Sequence, residues 1–148
     1  MIECYTKTKA SKVLVQERGK SAVFLNPERV DFFRVKFDGC LVKNAVACDW
    51  LVIRQATDNI LVELKGTDVE HALEQIEAAF EYMAREKLLA DKNAALIVCS
   101  RPHRTPKFSS KLQKARARLS ERYKAPLHVV TARHEFIVDR VMSQTGPF

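Results

Sequence analysis

Hydrophobic and polar positions alternate with two different periods along the chain, and the change of period marks the expected elements. Before Gly66 the apolar residues recur every second position or form short runs, which is typical of β-strands. After Gly66 they recur with the 3.6-residue period of a helix, and short apolar runs then return. The pattern therefore predicts a β-rich first part followed by alternating helices and strands.

The strand-like segments of the first part are expected to pair as hairpins. Segments 12–17 and 21–25 flank a turn at 18–20, with a helix over the first dozen or so residues as the alternative. Segment 33–37 runs into Asp38-Gly39, a strong hairpin signal, and 40–42 begins the expected return strand. Further strands are predicted over 47–53, 60–65, 94–100 and 126–132, with a short terminal element over 134–142.

Two helices are predicted between the later strands. Thr67 with Glu70 three residues on is a capping-box signature for a helix that ends near Leu89 and has an acidic exposed side. Thr105 as cap and Pro106 at the first helical position begin the second helix. This order predicts an α/β sandwich, a mixed β-sheet with helices on its faces, formed by a single domain over residues 1–148.

Composition narrows the class of protein. With 47% hydrophobic and 29% charged residues, the chain is expected to be globular and soluble. No apolar run approaches the roughly 20 residues of a membrane helix, and the N-terminus lacks a signal-peptide pattern, so no membrane partner and a cytoplasmic location are expected. Because the four cysteines form no CxxC pair, reduced and mostly buried thiols are predicted rather than disulfides or a zinc site.

Positive charge is concentrated in one segment. Residues 99–124 contain nine basic residues against one acid, a net charge of +8, whereas the whole chain carries +7. The rest of the chain therefore sums to −1, and a polyanionic partner, first of all nucleic acid, is predicted for this segment. The residues expected to contact nucleic acid are Arg101, Arg104, Lys107, Lys111, Lys114, Arg118 and Arg122.

One charged pair interrupts an apolar strand. Glu63 and Lys65 stand in the run 60–65, on one face and about 6.5–7 Å apart. Burying these two charges in a half-buried strand costs free energy unless they form an ion pair or bind a ligand. An exposed cross-strand salt bridge is the alternative reading.

Asp49, thirteen intervening residues, then Glu63-x-Lys65 and a capped helix resemble the PD-(D/E)xK nuclease superfamily, which has the restriction-endonuclease-like fold. The resemblance covers residues 30 to 135 in element order and 49 to 75 in specific residues. Cys48 stands where the signature often has proline. The tyrosine of the RecB-like branch is missing, because residue 79 is alanine.

The resemblance implies a metal-dependent site. Asp49, Glu63 and the backbone carbonyl of Leu64 would hold Mg²⁺ or Mn²⁺, and Lys65 would orient or deprotonate the attacking water. Gln75 matches, loosely, a glutamine that many relatives carry on the following helix. A further upstream acid, on an early helix, is frequent in the family, and Glu28 and Glu17 are both candidates for it.

The function predicted from these features is a metal-dependent nuclease that hydrolyses phosphodiester bonds. DNA, including structured or junction DNA, is a better substrate candidate than RNA, and a homodimer is the expected form. The alternative is a non-catalytic nucleic-acid-binding module of the same fold, acting as a subunit of a larger assembly. A third hypothesis is a self-associating domain, in which the acidic helix of one copy meets the basic helix of another.

Overall fold

The structure is a computed structural model that describes residues 2–66, 68–100 and 105–145. Within these ranges a 3-10 helix, Ile2–Cys4, precedes nine strands and three helices. The strands are β1 (Tyr5–Thr8), β2 (Lys12–Glu17), β3 (Lys20–Leu25), β4 (Phe32–Lys36), β5 (Trp50–Arg54), β6 (Asp58–Lys65), β7 (Lys92–Cys99), β8 (Leu127–Thr131) and β9 (Glu135–Ile137). The helices are α1 (Val69–Arg85), α2 (Pro106–Tyr123) and α3 (Val138–Val141).

A six-stranded mixed sheet forms the middle layer, in the order β1-β4-β5-β6-β7-β8. Strands β1, β4, β5 and β6 pair antiparallel, whereas β6, β7 and β8 are parallel. The parallel half arises because α1 and α2 carry the chain back between successive strands, as parallel pairing requires. The predicted mixed α/β architecture is therefore confirmed.

Helices α1 and α2 cover one face of the sheet. The predicted apolar stripe of α1 is buried, and the ring of Phe80 stacks on that of Tyr123 in α2 at 5.0 Å between centroids. The cap of α1 is Asp68, whose side chain accepts a hydrogen bond from the His71 amide at 3.1 Å. Thr67, the cap predicted from sequence, lies outside the described residues. Thr105 caps α2 as predicted.

The other face of the sheet is covered mainly by strands, not by helices as predicted. β2, β3 and β9 form a second sheet, and Phe24 of β3 packs on Phe136 of β9 with ring centroids 5.8 Å apart. Among the described helices, only α3 contributes to this layer, through Val138 and Val141. The difference arises because the alternating pattern of the N-terminal third already encodes a hairpin with one apolar face, which needs a surface to cover it.

The expected return strand at 40–42 does not form. Asp38 and Gly39 turn as predicted, but the chain then makes only an isolated bridge between Asp38 and Val42. The strand that pairs with β4 is β5, and the intervening loop 37–49 is joined to it by backbone hydrogen bonds from Phe37 to Asp49 and from Asp38 to Cys48. This loop delivers Asp49 to the end of the sheet.

The prediction that all cysteines are free thiols is wrong for two of them. Cys4 and Cys40 form a disulfide with 5.8 Å between their Cα atoms, while Cys48 and Cys99 are free and buried. The contact follows from topology, because β1 pairs antiparallel with β4 and Cys4 and Cys40 lie beside that pair. Their separation of 36 residues offers no sequence signal.

Reduction of this disulfide is expected to lower the free energy of unfolding by about 3–4 kcal/mol, since a loop of this length gains entropy in the unfolded chain when it is opened. Urea unfolding with and without dithiothreitol measures the difference. Cys4→Ser/Cys40→Ser should be insensitive to reductant, and thiol titration of the unreduced, denatured protein should count two free thiols. Four titratable thiols would contradict the bridge.

Candidate functional site

The pairing register of β5 and β6 brings the predicted acids together. Trp50 pairs with Val62, so Asp49, one residue before β5, lies opposite Glu63. Both side chains are buried, with 8% of Asp49 and 1% of Glu63 exposed. Two carboxylates thus meet at the edge of the sheet where β6 ends.

Each carboxylate is held by a backbone amide of the neighbouring strand segment. The Asp49 amide donates to Glu63 Oε1 at 3.0 Å, and the Leu64 amide donates to Asp49 Oδ2 at 2.8 Å. These two hydrogen bonds join the strand ends just beyond Trp50 and Val62, the last residue pair of β5 and β6. They fix the positions of both acids with respect to the sheet, so that the site is built into its framework.

Lys65 follows Glu63 on the same face, as predicted. Its Nζ lies 3.4 Å from Glu63 Oε2, and 23% of its side chain is exposed. Lys65 therefore contacts the buried Glu63 carboxylate and also reaches the solvent. The exposed salt bridge considered as an alternative does not describe this pair, because only 2% of the Glu63 side chain is exposed.

Leu64 presents its backbone toward the same place. Its amide points to Asp49, and in an extended strand the amide and carbonyl of one residue point to the same side. The carbonyl of the next residue, Lys65, points the other way and accepts from Ser100. The Leu64 carbonyl is thus directed to the Asp49 side of β6.

Burial is the main cause that raises the pKa values of both acids. Burial, followed by the charge of Asp49, raises the pKa of Glu63 from 4.5 to about 8, against the opposing effect of Lys65. Burial also raises the pKa of Asp49, although the Leu64 amide lowers it. The neighbouring thiol of Cys48 likewise has a raised pKa, first from burial and then from these two carboxylates. The centre therefore favours either a proton or a cation between the acids.

Gln75 lies behind the site rather than in it. From α1 it donates through Nε2 to the Ala47 carbonyl at 3.0 Å, two residues before Asp49. Its Oε1 is buried and has no hydrogen-bond partner among the described residues. Gln75 is therefore a positioning residue for the segment that carries Asp49.

The structure separates the two upstream acids. Glu17, at the end of β2, is close enough for its charge to raise the pKa of Asp49, and its Oε2 lies 2.5 Å from Lys36 Nζ. Glu28 follows the opposite end of the hairpin and lines a cleft with Arg54, at the far end of β5. Described residues 2–30 contain no α-helix, so neither acid lies on the early helix of the family pattern.

The basic stripe of α2 consists of Lys107, Lys111, Lys114, Arg118 and Arg122. Three of these residues form ion pairs with the acidic side of α1. Glu70 pairs with Lys107 and Lys111 at 4.0 and 3.5 Å, and Glu77 pairs with Arg118 through two hydrogen bonds. The other two predicted contact residues of the helix are Lys114 and Arg122, for which no ion pair is found within the described ranges. Arg101 and Arg104 lie outside those ranges.

This stripe also leads away from the carboxylates. Lys107 to Arg122 spans about 22 Å of helix. Arg122 lines a cleft of about 660 Å³ with Arg54 and Lys92, at the end of the sheet opposite to Glu63. The helix that was predicted to bind nucleic acid therefore follows the end of β7 that lies beside Lys65, and leads away from the site toward Arg122.

The donor set fits a hard divalent cation. Carboxylate and carbonyl oxygens are what Mg²⁺ and Mn²⁺ prefer, and Mg²⁺ is commonly held by one or two carboxylates, with water and substrate phosphate as further ligands. Across residues 2–66, 68–100 and 105–145, no group of three His, Cys, Asp or Glu side chains has the arrangement of a metal site. The fit consequently depends on Asp49, Glu63 and the Leu64 carbonyl.

Two residues near the carboxylates were not predicted from the sequence as part of a site. Lys36 pairs with Glu17 and lies over the Trp50 ring, 5.1 Å from its centroid. Lys20, from β3, packs beside Gly66. For Lys36, the available sequence signal was its alternation with apolar residues, which assigns it to the polar face of its strand. The contacts of Lys20 could not be predicted, because they depend on how the second sheet packs on the central sheet.

Comparison with known proteins gave no relatives. No family model, curated protein or solved structure matched the chain. Among the described helices, none is both long enough and apolar enough to cross a membrane.

The raised pKa of Glu63 predicts that the protein becomes less stable between about pH 4.5 and pH 8. A carboxyl that binds its proton more tightly in the folded state contributes stability at low pH, and loses it as the pH rises through the folded-state pKa. We expect a loss of roughly 1–3 kcal/mol in the free energy of unfolding across this range. Urea unfolding at several pH values measures it.

Glu63→Gln should flatten that pH profile, because the amide cannot ionise. The exposed Glu28→Gln serves as a matched control and should keep the profile of the unmodified protein. A profile for Glu63→Gln that parallels the unmodified protein would show that another group is responsible.

Proposed function

We propose that the protein is a metal-dependent nuclease that hydrolyses phosphodiester bonds in DNA. The observation that carries the proposal is the reciprocal pairing of Asp49 and Glu63 through backbone amides, with Lys65 Nζ 3.4 Å from Glu63. Two buried acids and a lysine reaching solvent are the groups that this reaction needs in one place. The restriction-endonuclease-like fold is part of the proposal, supported by the order β4, β5, β6, α1, β7.

Each group has a role that follows from its position. Asp49, Glu63 and the Leu64 carbonyl would hold Mg²⁺ or Mn²⁺, which when bound stabilises the negative charge of phosphoryl transfer. Lys65 would orient the attacking water and accept or share its proton, since it is the member of the site open to solvent. Gln75 holds the segment before Asp49 in place.

Glu17 supports the site from the second sheet. Its hydrogen bond with Lys36 places a carboxylate on the far side of Asp49 from Glu63. We assign the upstream acid to Glu17 rather than Glu28, because only Glu17 lies within electrostatic reach of Asp49. Its role is to position Lys36 and to add negative charge beside the cation, not to act as a third close ligand.

The substrate form and assembly belong to the proposal as well. DNA rather than RNA, structured or junction DNA in particular, and a homodimer with one site for each strand follow from the family that the residues resemble. A cytoplasmic location is proposed with them. Size-exclusion chromatography with light scattering tests the dimer. The acidic and basic helices pair within one chain through Glu70 and Glu77, so they are not the surfaces that we expect to join two copies.

A second candidate is a binding module of the same fold without turnover. The observation that favours it is the raised pKa of both acids: a protonated pair would need no cation. The two candidates differ in one measurement, metal-dependent cleavage.

We expect Glu63→Ala and Lys65→Ala to lower the rate of Mg²⁺- or Mn²⁺-dependent cleavage by roughly 10²–10⁴-fold. Gel assays on linear, branched and single-stranded DNA, with RNA in parallel, measure the rate. Matched controls are Lys92→Ala, at the opposite end of the sheet, and Glu121→Ala, exposed on α2; both should cleave at the unmodified rate. Undiminished cleavage by the two site variants would contradict the proposal. Binding of DNA by the unmodified protein without any cleavage would support the second candidate.

A further inference from the structure

The β2–β3 hairpin carries two cations to the edge of the candidate site. Its turn consists of Arg18, with φ 48°, and Gly19, with φ 79°, and the flanking pair is Glu17 and Lys20. Two positive φ angles are those of the tight turn that suits a two-residue hairpin, which favours Asn or Gly at both positions. Arginine is an unusual residue there, so the demands of the turn do not explain Arg18.

Lys20 reaches from the hairpin to the end of β6. A methyl group placed on Gly66 would lie 3.3 Å from Lys20 Cε and 3.6 Å from its Nζ. Gly66 directly follows Lys65, so the Lys20 ammonium lies beside the residue at which the chain leaves the site. The absence of a side chain at Gly66 leaves the space that this approach needs.

The hairpin is held firmly against the central sheet. The Trp50 indole donates to the Gln16 carbonyl at 3.1 Å, and Arg34 Nη1 donates to the Leu14 carbonyl at 3.0 Å. The Glu17–Lys36 bond adds a third tie at the turn end of β2. These bonds fix the backbone of β2 up to the turn, so that Arg18 and Lys20 extend from a defined position relative to Asp49.

Arg18 and Lys20 differ from most of the basic residues of α2 in their ion pairing within the described residues. Ion pairs within 4 Å are found, among the described residues, for neither Arg18 nor Lys20, whereas Lys107, Lys111 and Arg118 are paired with acids of α1. A phosphate that approached those paired residues would have to compete with a carboxylate already in place. At the hairpin it would meet free positive charge.

We propose that the tip of the β2–β3 hairpin, through Arg18 and Lys20, contacts the backbone phosphates of the nucleic acid next to the bond that is cleaved. The inference deepens the proposed function, on which it depends for the identity of the polyanion. It moves the main phosphate contact from α2 to the second sheet. Backbone contacts of this kind position the strand and carry no base sequence information.

The test compares two pairs of substitutions that remove the same charges. Arg18→Gln/Lys20→Gln alters the hairpin, and Lys114→Gln/Arg122→Gln removes one lysine and one arginine without ion pairs from α2. Fluorescence anisotropy with a fluorescein-labelled DNA duplex in EDTA, over a salt series, measures binding apart from cleavage. Circular dichroism and urea unfolding establish that both variants are folded.

The hairpin pair is expected to weaken binding by about 10–100-fold and to reduce the slope of log K against log salt by about 2. The α2 pair should change affinity by less than about twofold, because its cations lie away from the path. Equal loss in both pairs, loss confined to the α2 pair, or no loss in either would overturn the inference.

The same variants separate this inference from the proposed function. If the unmodified protein binds the duplex through the hairpin but never cleaves DNA with Mg²⁺ or Mn²⁺, the hairpin surface stands and the nuclease proposal fails. If it cleaves and the hairpin pair binds normally, the nuclease proposal stands and the hairpin surface fails. An unmodified protein that binds no DNA at low salt overturns both.

Discussion

The arrangement of the site depends on two hydrogen bonds that cross between neighbouring strand ends. Glu63 accepts from the Asp49 amide and Asp49 accepts from the Leu64 amide, so each acid is fixed by the backbone that carries or adjoins the other. A carboxylate placed by its side-chain rotamer alone could swing away from a like charge. Here the amides oppose that motion. Burial raises the pKa of both acids, and the nearby charge of Asp49 raises that of Glu63 further.

The three layers of the molecule each contribute to holding this pair. The central sheet sets the Asp49–Glu63 register, and α1 supplies Gln75, which fixes the chain just before Asp49. The second sheet supplies Glu17 and the hairpin on the remaining side. A site at the junction of three layers can be rigid on the protein side and open at the sheet edge, where a long polymer could pass.

Sequence patterns were sufficient for most of the strands, for the two long helices and for the proximity of the central acids, but not for β1 or for the absence of the return strand at 40–42. The proximity of Asp49, Glu63 and Lys65 could be predicted, because their spacing and the two-residue period of a strand determine which side chains lie on the same face of a hairpin. Glu17 and Glu28 could not be distinguished, since the choice depends on how the hairpin packs on the sheet. The pairing of Glu70 and Glu77 with α2 was missed for the same reason: each stripe is visible in sequence, but the angle between two helices is not. The Cys4–Cys40 bridge likewise required the β1–β4 pairing.

The parallel pairing of β3 with β9 has a consequence for when the site is completed. Val23 of β3 pairs with Glu135 of β9, which lies far along the chain, and contacts of such long sequence separation form slowly. The second sheet, with Glu17 and the hairpin tip, can finish assembling only after Ile137 has been synthesised and has docked on β3. The two carboxylates can thus come together in a nascent chain while the second sheet still lacks its third strand. Pairing of β3 with β9 closes that sheet last, so the N-terminal hairpin gains its final support from the C-terminal part of the chain.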